Sequence, residues 1–338
     1  VEGIAANYFK FFMRNHKPIL SLVSPCYNEQ EVLLQSVHIL AARLTQLIDK
    51  QIIHNDSFIC LVDDGSNDDT WQLIENCSQK YHCVSALKLM HNVGHQNALM
   101  AGLNFVADKC DCSISLDIDL QDDLSTFETM LELYEQGNHL VFGVKKNRQK
   151  DSILKRMSAR LYYRLLQLMQ IKSVYNHADF RLYSKKILQL LQDIPERNLY
   201  LRGLCANLNC KVGYVEYDIK ERQAGTSKYT LGKMLSLAWD GISSFSIVPL
   251  RAFTFIGFFV FLISVGLSIY VLASVLFSDS VVPGWASTVL PIYFLGGIQL
   301  LGLGILGEYI AKVYLEVKKR PRYIIEEKIT TQKAPVAK

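Results

Sequence analysis

The chain has 338 residues, half of them hydrophobic and a fifth charged, with a formal net charge of +4. That is too long for one small domain and too apolar for a disordered chain, so a large core, a membrane segment or both must absorb the apolar residues. So slight a positive balance gives no ground for nucleic-acid binding, and eight cysteines without zinc-finger spacing read as reduced thiols of a cytosolic compartment.

Residues 1–17 carry no signal-peptide pattern, because their apolar stretch is short and interrupted by charge; they read as an N-terminal extension outside the fold. From Pro18 to about Val144, apolar runs at 19–25, 57–64, 83–90, 112–119 and 139–144 read as strands. They are continuous rather than alternating, as expected of strands covered on both faces. Between them, 30–49, 68–81, 96–108 and 124–136 carry helical periodicity. This alternation predicts an α/β fold with a doubly wound, mostly parallel sheet. Ligands of such sheets bind beyond the carboxyl ends of the strands. SPCYNE, VDDGSNDDT and LDIDLQDD all fall at those ends.

Two uncharged stretches follow, one between Arg251 and Asp279 and one from Ser280 to Gly307. Each exceeds the roughly 20 residues that cross a hydrocarbon core as a helix. They predict transmembrane helices at 250–277 and 287–311. The intervening loop has no Lys or Arg, whereas Lys228, Lys233 and Arg251 precede the pair and Lys312, Lys318, Lys319, Arg320 and Arg322 follow it. The positive-inside bias then puts both termini and the α/β domain in the cytoplasm of a two-span protein of the inner (plasma) membrane. A stretch at 227–249 reads as an amphipathic juxtamembrane helix, and 312–338 as a basic cytoplasmic tail. A second amphipathic stretch carries Arg156, Arg160 and Arg164 as a stripe suited to phosphates, or to plain solvent.

The chemistry concentrates in SLDIDLQDD, residues 115–123. In an extended segment Asp117 and Asp119 point the same way and repel unless a cation sits between them. A hard divalent ion, Mg2+ or Mn2+, suits that pair, with Gln121 continuing the same face. In VDDGS, Asp63 and Asp64 precede a glycine that permits a tight turn, and an aspartate there can accept from a nucleobase N–H or a ribose hydroxyl. No GxGxxG follows a strand of the α/β region (GLGILG at 302–307 falls in the second uncharged stretch) and no GxxxxGK[ST] occurs, so a bound diphosphate needs another counter-charge. A cation held by Asp119 supplies one, with the nucleotide base toward Asp64.

PCYNEQE, VDDGSNDDTW, NVGHQNALMAGL, LDIDLQDD, DFRLYSKK, PERNLYLRG and RQAGTSKY occur in the order found in glycosyltransferase family 2, which the chain resembles. More narrowly it is similar to the bacterial polyprenyl-phosphate (bactoprenol) glycosyltransferases, and SSFSIVPLR resembles part of their two-helix anchor. The resemblance implies a GT-A catalytic domain over 18–226 and inverting transfer of a sugar, first of all glucose from a UDP-sugar, to undecaprenyl or another polyprenyl phosphate. It implies donor contacts at Pro25, Tyr27, Glu29, Asp64 and Asp117, and metal ligands Asp117, Asp119 and Gln121. Asp119 and Asp179 become the catalytic candidates, and Arg181, Arg202 and Lys228 the residues for the acceptor and its phosphate. It also implies a homo-tetramer embedded in membrane lipid. The chain departs from the pattern where relatives carry RN-x-G-K: here His91 and His95 stand in for the basic residues.

A lipid phosphate is largely dianionic near neutral pH, so it needs no general base. Asp179 is therefore open to two roles, base or holder of a cationic group. A processive polysaccharide synthase on the same fold lacks its expected Q-x-x-R-W segment here. A non-catalytic membrane-anchored nucleotide or metal sensor would keep Asp64, Asp117 and Asp119 without requiring the basic acceptor residues.

Overall fold

The structure, a computed structural model, describes residues 17–146, 177–196, 201–218 and 284–330, together with Leu250, Phe253 and part of 255–269. The chain divides into two compact units: Val1–Arg164 with Lys172–Tyr229 and Pro321–Lys338, and Leu165–Ile171 with Thr230–Arg320.

In the first unit the chain order is β1 (Leu20–Cys26), α1 (Leu33–Asp49), β2 (Phe58–Asp63), α2 (Thr70–Lys80), β3 (Val84–Leu89), α3 (His95–Val106) and β4 (Cys112–Ser115). A 3-10 turn (Leu124–Thr126) leads into α4 (Phe127–Glu135), β5 (Leu140–Lys145), β6 (His177–Ser184), α5 (Lys185–Asp193), α6 (Leu201–Asn207) and β7 (Val212–Tyr217). Helix α7 (Trp285–Lys318) belongs to the second unit, and β8 (Ile325–Ile329) returns to the first.

The eight strands form one sheet in the order β7-β5-β6-β4-β1-β2-β3-β8. Its centre is parallel as expected, β1 lying between β4 and β2, and β2 beside β3. The sheet as a whole is mixed but mostly parallel: six of its eight strands run one way, while β6 runs against both β4 and β5, and β8 runs against β3.

The continuous apolar runs are explained by two cores. On one face Leu20, Leu22, Ile59 and Leu61 meet Val37, Leu40 and Leu44 of α1, Ile74 of α2 and Phe127 of α4. On the other, Val23, Cys60 and Val62 meet Leu99, Leu103 and Val106 of α3 and Leu188 of α5. Each such side chain leaving water contributes about 1.5–3 kcal/mol, so a strand buried on both faces is held by nearly every residue. Helix α3 lies so close to the sheet that a Cβ on Gly102 would stand 2.5 Å from Val23 Cγ1.

Three strands went unpredicted, and each breaks the apolar-run rule. β6 carries Asp179 and Arg181, both buried. β7 alternates in burial and forms one edge. β8, at the other edge, reads IEEKI and is mostly exposed, a charged strand that guards the sheet against pairing with other chains. The expected basic tail at 312–338 is thus corrected: α7 continues to Lys318 and 325–329 extend the sheet.

Helix α7 covers the predicted second span and extends beyond it at both ends. Within it Phe294–Lys318 is long and apolar enough to cross a membrane, and its Leu300, Leu301, Leu303 and Ile310 are exposed. Among the described residues it is the one helix that meets that test, so the expected pair of transmembrane helices reduces to one candidate here. Residues 255–260 of the first predicted span are helical. The juxtamembrane helix at 227–249 and the arginine-striped stretch lie outside the described residues.

Candidate active site

The loops beyond the carboxyl ends of β1, β2 and β4 and the start of α3 build the site. After β1, Asn28 adopts φ 53°, and the loop is stitched to the one after β2. Asn28 N donates to Ser66 Oγ (3.0 Å), Asn67 N to Asn28 Oδ1 (2.9 Å) and Glu29 N to Thr70 Oγ1 (2.9 Å). Pro25 is buried at the end of β1, whereas Tyr27 is 39% exposed and Glu29 half-buried. These three predicted donor residues therefore share one rigid loop.

The VDDG turn does something the sequence did not announce. Asp64 is buried, and its Oδ1 accepts from Val93 N (2.8 Å) while Oδ2 accepts from Gly94 N (3.0 Å). Burial pushes its carboxyl up, and the two N–H bonds oppose the shift. Asp64, expected to face a nucleotide base, also holds the loop that leads into α3. Gly65, at φ +64°, completes the grip: a Cβ there would lie 2.6 Å from Asn92 N and His91 C. Asp63 Oδ2 accepts from Ser66 N (3.3 Å), and its buried Oδ1 has no hydrogen-bond partner.

Strand β4 ends at Ser115, not at Asp119. The segment that follows turns, with Leu120 at φ 50° and its N–H donating to Asp117 O (3.2 Å). The extended, same-face alignment expected for Asp117, Asp119 and Gln121 is thus replaced by a compact loop in which Gln121 N approaches Asp119 Oδ1 at 3.4 Å. The Asp117 side chain is half open to solvent. Burial pushes its carboxyl above the usual range; the nearby His95 opposes this, and the Asp179 and Asp119 charges add to it. Asp122 is buried, its Oδ1 accepting from Tyr217 Oη at 2.6 Å, and burial pushes it up to about 6.

Asp179, on β6, is clamped. Arg181 Nη2 donates to Oδ1 (2.8 Å), Arg202 Nε to Oδ1 (3.2 Å) and Arg202 Nη2 to Oδ2 (2.8 Å). Burial works against its charge, but the Arg202 and Arg181 guanidiniums prevail and hold its carboxyl far below the ordinary carboxylate range. Such a carboxylate is a very weak base. Arg181 is fully buried and also reaches Tyr183 Oη (3.3 Å), whereas the Arg202 side chain is 38% exposed. His95, at the start of α3, brings the two acidic groups together: its Nε2 lies 3.7 Å from Asp117 Oδ1 and 3.6 Å from Asp179 Oδ2. His91 is exposed, and Lys228 lies outside the described residues.

Among the described residues no three His, Cys, Asp or Glu side chains form a closed metal cage. The donor set nevertheless fits Mg2+ or Mn2+, ions commonly held by one or two carboxylates while substrate phosphates and water complete the shell. Asp117 and Asp119 supply hard oxygens two residues apart on one turn, and the Asp117 side chain is half open to solvent. All eight cysteines are free, and burial pushes the Cys60 and Cys110 thiols up to about 12, so they act as core residues.

Sequence reasoning missed the bridging place of His95 and the tie between Asp122 and Tyr217. The departure at NVGHQN was the one available signal for the first, and nothing pointed to the second. Residues 21–191 match the family model for glycosyl transferase family 2. The chain is 46% identical over 314 residues to the glycosyltransferase YkoT of Bacillus subtilis, covering 93% of each chain. It is 36% identical over 309 residues to an SfII prophage-derived bactoprenol glucosyl transferase of Shigella flexneri, covering 91% of this chain and 97% of that one. A prophage bactoprenol glucosyl transferase homolog of Escherichia coli is 34% identical over 308 residues, covering 91% and 98%. With its GT-A-like mixed sheet and these relatives, the chain belongs to glycosyl transferase family 2 and is a glycosyltransferase.

Proposed function

We propose that this glycosyltransferase moves one hexose, glucose in the first instance, from a UDP-sugar to a polyprenyl phosphate such as undecaprenyl phosphate, at the cytoplasmic face of the plasma membrane. The carrying observation is the meeting of opposite tasks around His95: the acidic loop of Asp117 and Asp119 on one side, and Asp179 with its two arginines on the other. The names of the bactoprenol relatives, matched over nearly their whole length, and the apolar Phe294–Lys318 support the lipid acceptor.

In this mechanism the half-exposed loop of Tyr27 and Glu29 and the buried Pro25 frame the donor nucleotide. Asp63, whose Oδ1 lacks a partner, is a stronger candidate for a nucleotide contact than Asp64, whose two oxygens already accept from backbone. Asp117 and Asp119, with Gln121, would hold Mg2+ or Mn2+, whose chemistry is to neutralise the leaving diphosphate. An oxygen of the lipid phosphate attacks the anomeric carbon while the bond to the diphosphate breaks, so one displacement inverts that carbon. The nucleophile arrives deprotonated, and the low basicity of Asp179 fits a group that orients Arg202 rather than a base. Arg202, and Lys228 with it, are assigned to draw in the acceptor phosphate, Arg181 locking Asp179 from behind. A tetramer in the membrane is part of the same proposal.

The test is a panel of labelled nucleotide-sugars given to the purified full-length protein with polyprenyl phosphate, with products read by lipid mass. One hexose added to the lipid phosphate is expected. Label in polymer, or none in lipid with any donor, would overturn the proposal.

A further inference from the structure

We propose that His95 is the site residue that keeps the donor-side and acceptor-side carboxylates in register, and that Asp64 and Gly65 are the positioning residues that hold it there. The inference rests on the transfer reaction proposed above and adds residues to it. His95 Nε2 stands 3.7 Å from Asp117 Oδ1 and 3.6 Å from Asp179 Oδ2, and the ring is 42% exposed, open to an arriving substrate. Two carboxylates converging on one point repel; the imidazole standing between them keeps their oxygens apart. Asp179 is fixed independently by its two arginines, so what the imidazole adds is the location of Asp117, whose side chain is half-exposed.

The imidazole is placed from outside the site. Residue 95 directly follows Val93 and Gly94, whose N–H groups both end on Asp64. Gly94 itself sits at φ +86°, and the chain before it is pressed against Gly65, where a Cβ would collide with the backbone of His91 and Asn92. The turn after β2 therefore sets where α3 begins, and with it where the ring lies. On this account the second aspartate of VDDG acts on the reaction through residue 95, not through the nucleotide.

The experiment is a double-mutant cycle on the full-length protein with the donor found active for the wild type. His95→Ala is expected to lower kcat at least tenfold with the donor KM within about threefold. His95→Gln, whose amide nitrogen can donate from a similar reach, should recover much of the loss. Asp64→Asn, which surrenders one of the two acceptor oxygens, should lower kcat in the His95 background and do almost nothing more in the His95→Ala background, a non-additivity diagnostic of coupling. Thermal melts separate folding from function: His95→Ala should melt within about 2 °C of wild type. Additive losses, or an Asp64→Asn effect confined to donor KM, overturn the positioning role. Unchanged kcat in His95→Ala overturns the whole inference while leaving the proposed reaction standing; a wild type silent with every donor overturns both. Should Asp64→Asn fail to fold, Asp64→Glu takes its place in the same cycle.

Discussion

Arg202 grips Asp179 in two-pronged fashion, Nε 3.2 Å from Oδ1 and Nη2 2.8 Å from Oδ2, while Arg181 holds Oδ1 from within the core. Removing the shared carboxylate takes the anionic partner from a fully buried guanidinium. Asp179→Asn should therefore cost about 3–5 kcal/mol at pH 7 by chemical denaturation. The pH dependence has a definite sign. The folded-state pKa is depressed, so the stabilisation is complete above the unfolded value near 4 and fades as pH falls below it. The gap between wild type and variant should shrink below about pH 4. A gap that persists there would mean the ion pair is not its source.

Asp119 sits on the turn after β4 and is assigned to a divalent ion. A chelator should stop transfer, and Mg2+ or Mn2+ should restore it in the wild type. Asp119→Ala should stay inactive even with excess Mn2+. Near-normal turnover in that variant, or full activity of metal-stripped enzyme in chelator, would refute the metal assignment.

Gly65 has a left-handed backbone and no room for a side chain, since a Cβ would lie 2.6 Å from two backbone atoms of residues 91–92. Backbone cannot swing aside as a flexible side chain can. Gly65→Ala should lose at least about 2 kcal/mol of stability from strain alone. Gly137→Ala is the control: its φ of +84° is similar but nothing lies within 4 Å, so it should lose only about 1 kcal/mol. Equal losses in urea melts would show that crowding by the 91–92 backbone is unimportant.

Strand β8 pairs with β3 from Ala86↔Ile329 to Leu89↔Ile325, and Asn104 Nδ2 donates to Tyr323 Oη at 2.9 Å. A chain truncated after Lys319 loses this ladder and bares the β3 edge. At about 1 kcal/mol per hydrogen bond, a drop of several kcal/mol and concentration-dependent aggregation are expected. Lys88→Ala, which removes the pairs with Glu326 and Glu327 and the ammonium 5.6 Å over the Trp71 ring but leaves the ladder intact, should cost no more than about 2 kcal/mol. A truncated protein that melts like the full chain would make β8 dispensable.

Local pattern was enough for the parallel centre of the sheet, its four flanking helices and, over 287–311, most of the apolar helix at 285–318, because a segment buried on both faces must be apolar along its length. It was enough also to single out the acidic stretch, where four aspartates crowd into seven positions, but not its turn, because it read an extended strand to Asp119. The strands it could not reveal are those whose stability is not their own: β6 exists because Asp179 and Arg181 neutralise each other, and β8 because β3 offers it an edge. The same holds within the site. Composition could say that Asp64, His95, Asp117 and Asp179 are the kinds of residue that do chemistry, but they lie up to 115 positions apart. Only the folded chain decides that Asp64 grips a loop while His95 stands between the other two, because distances between charges and the bonds each oxygen makes are set by packing across the sheet.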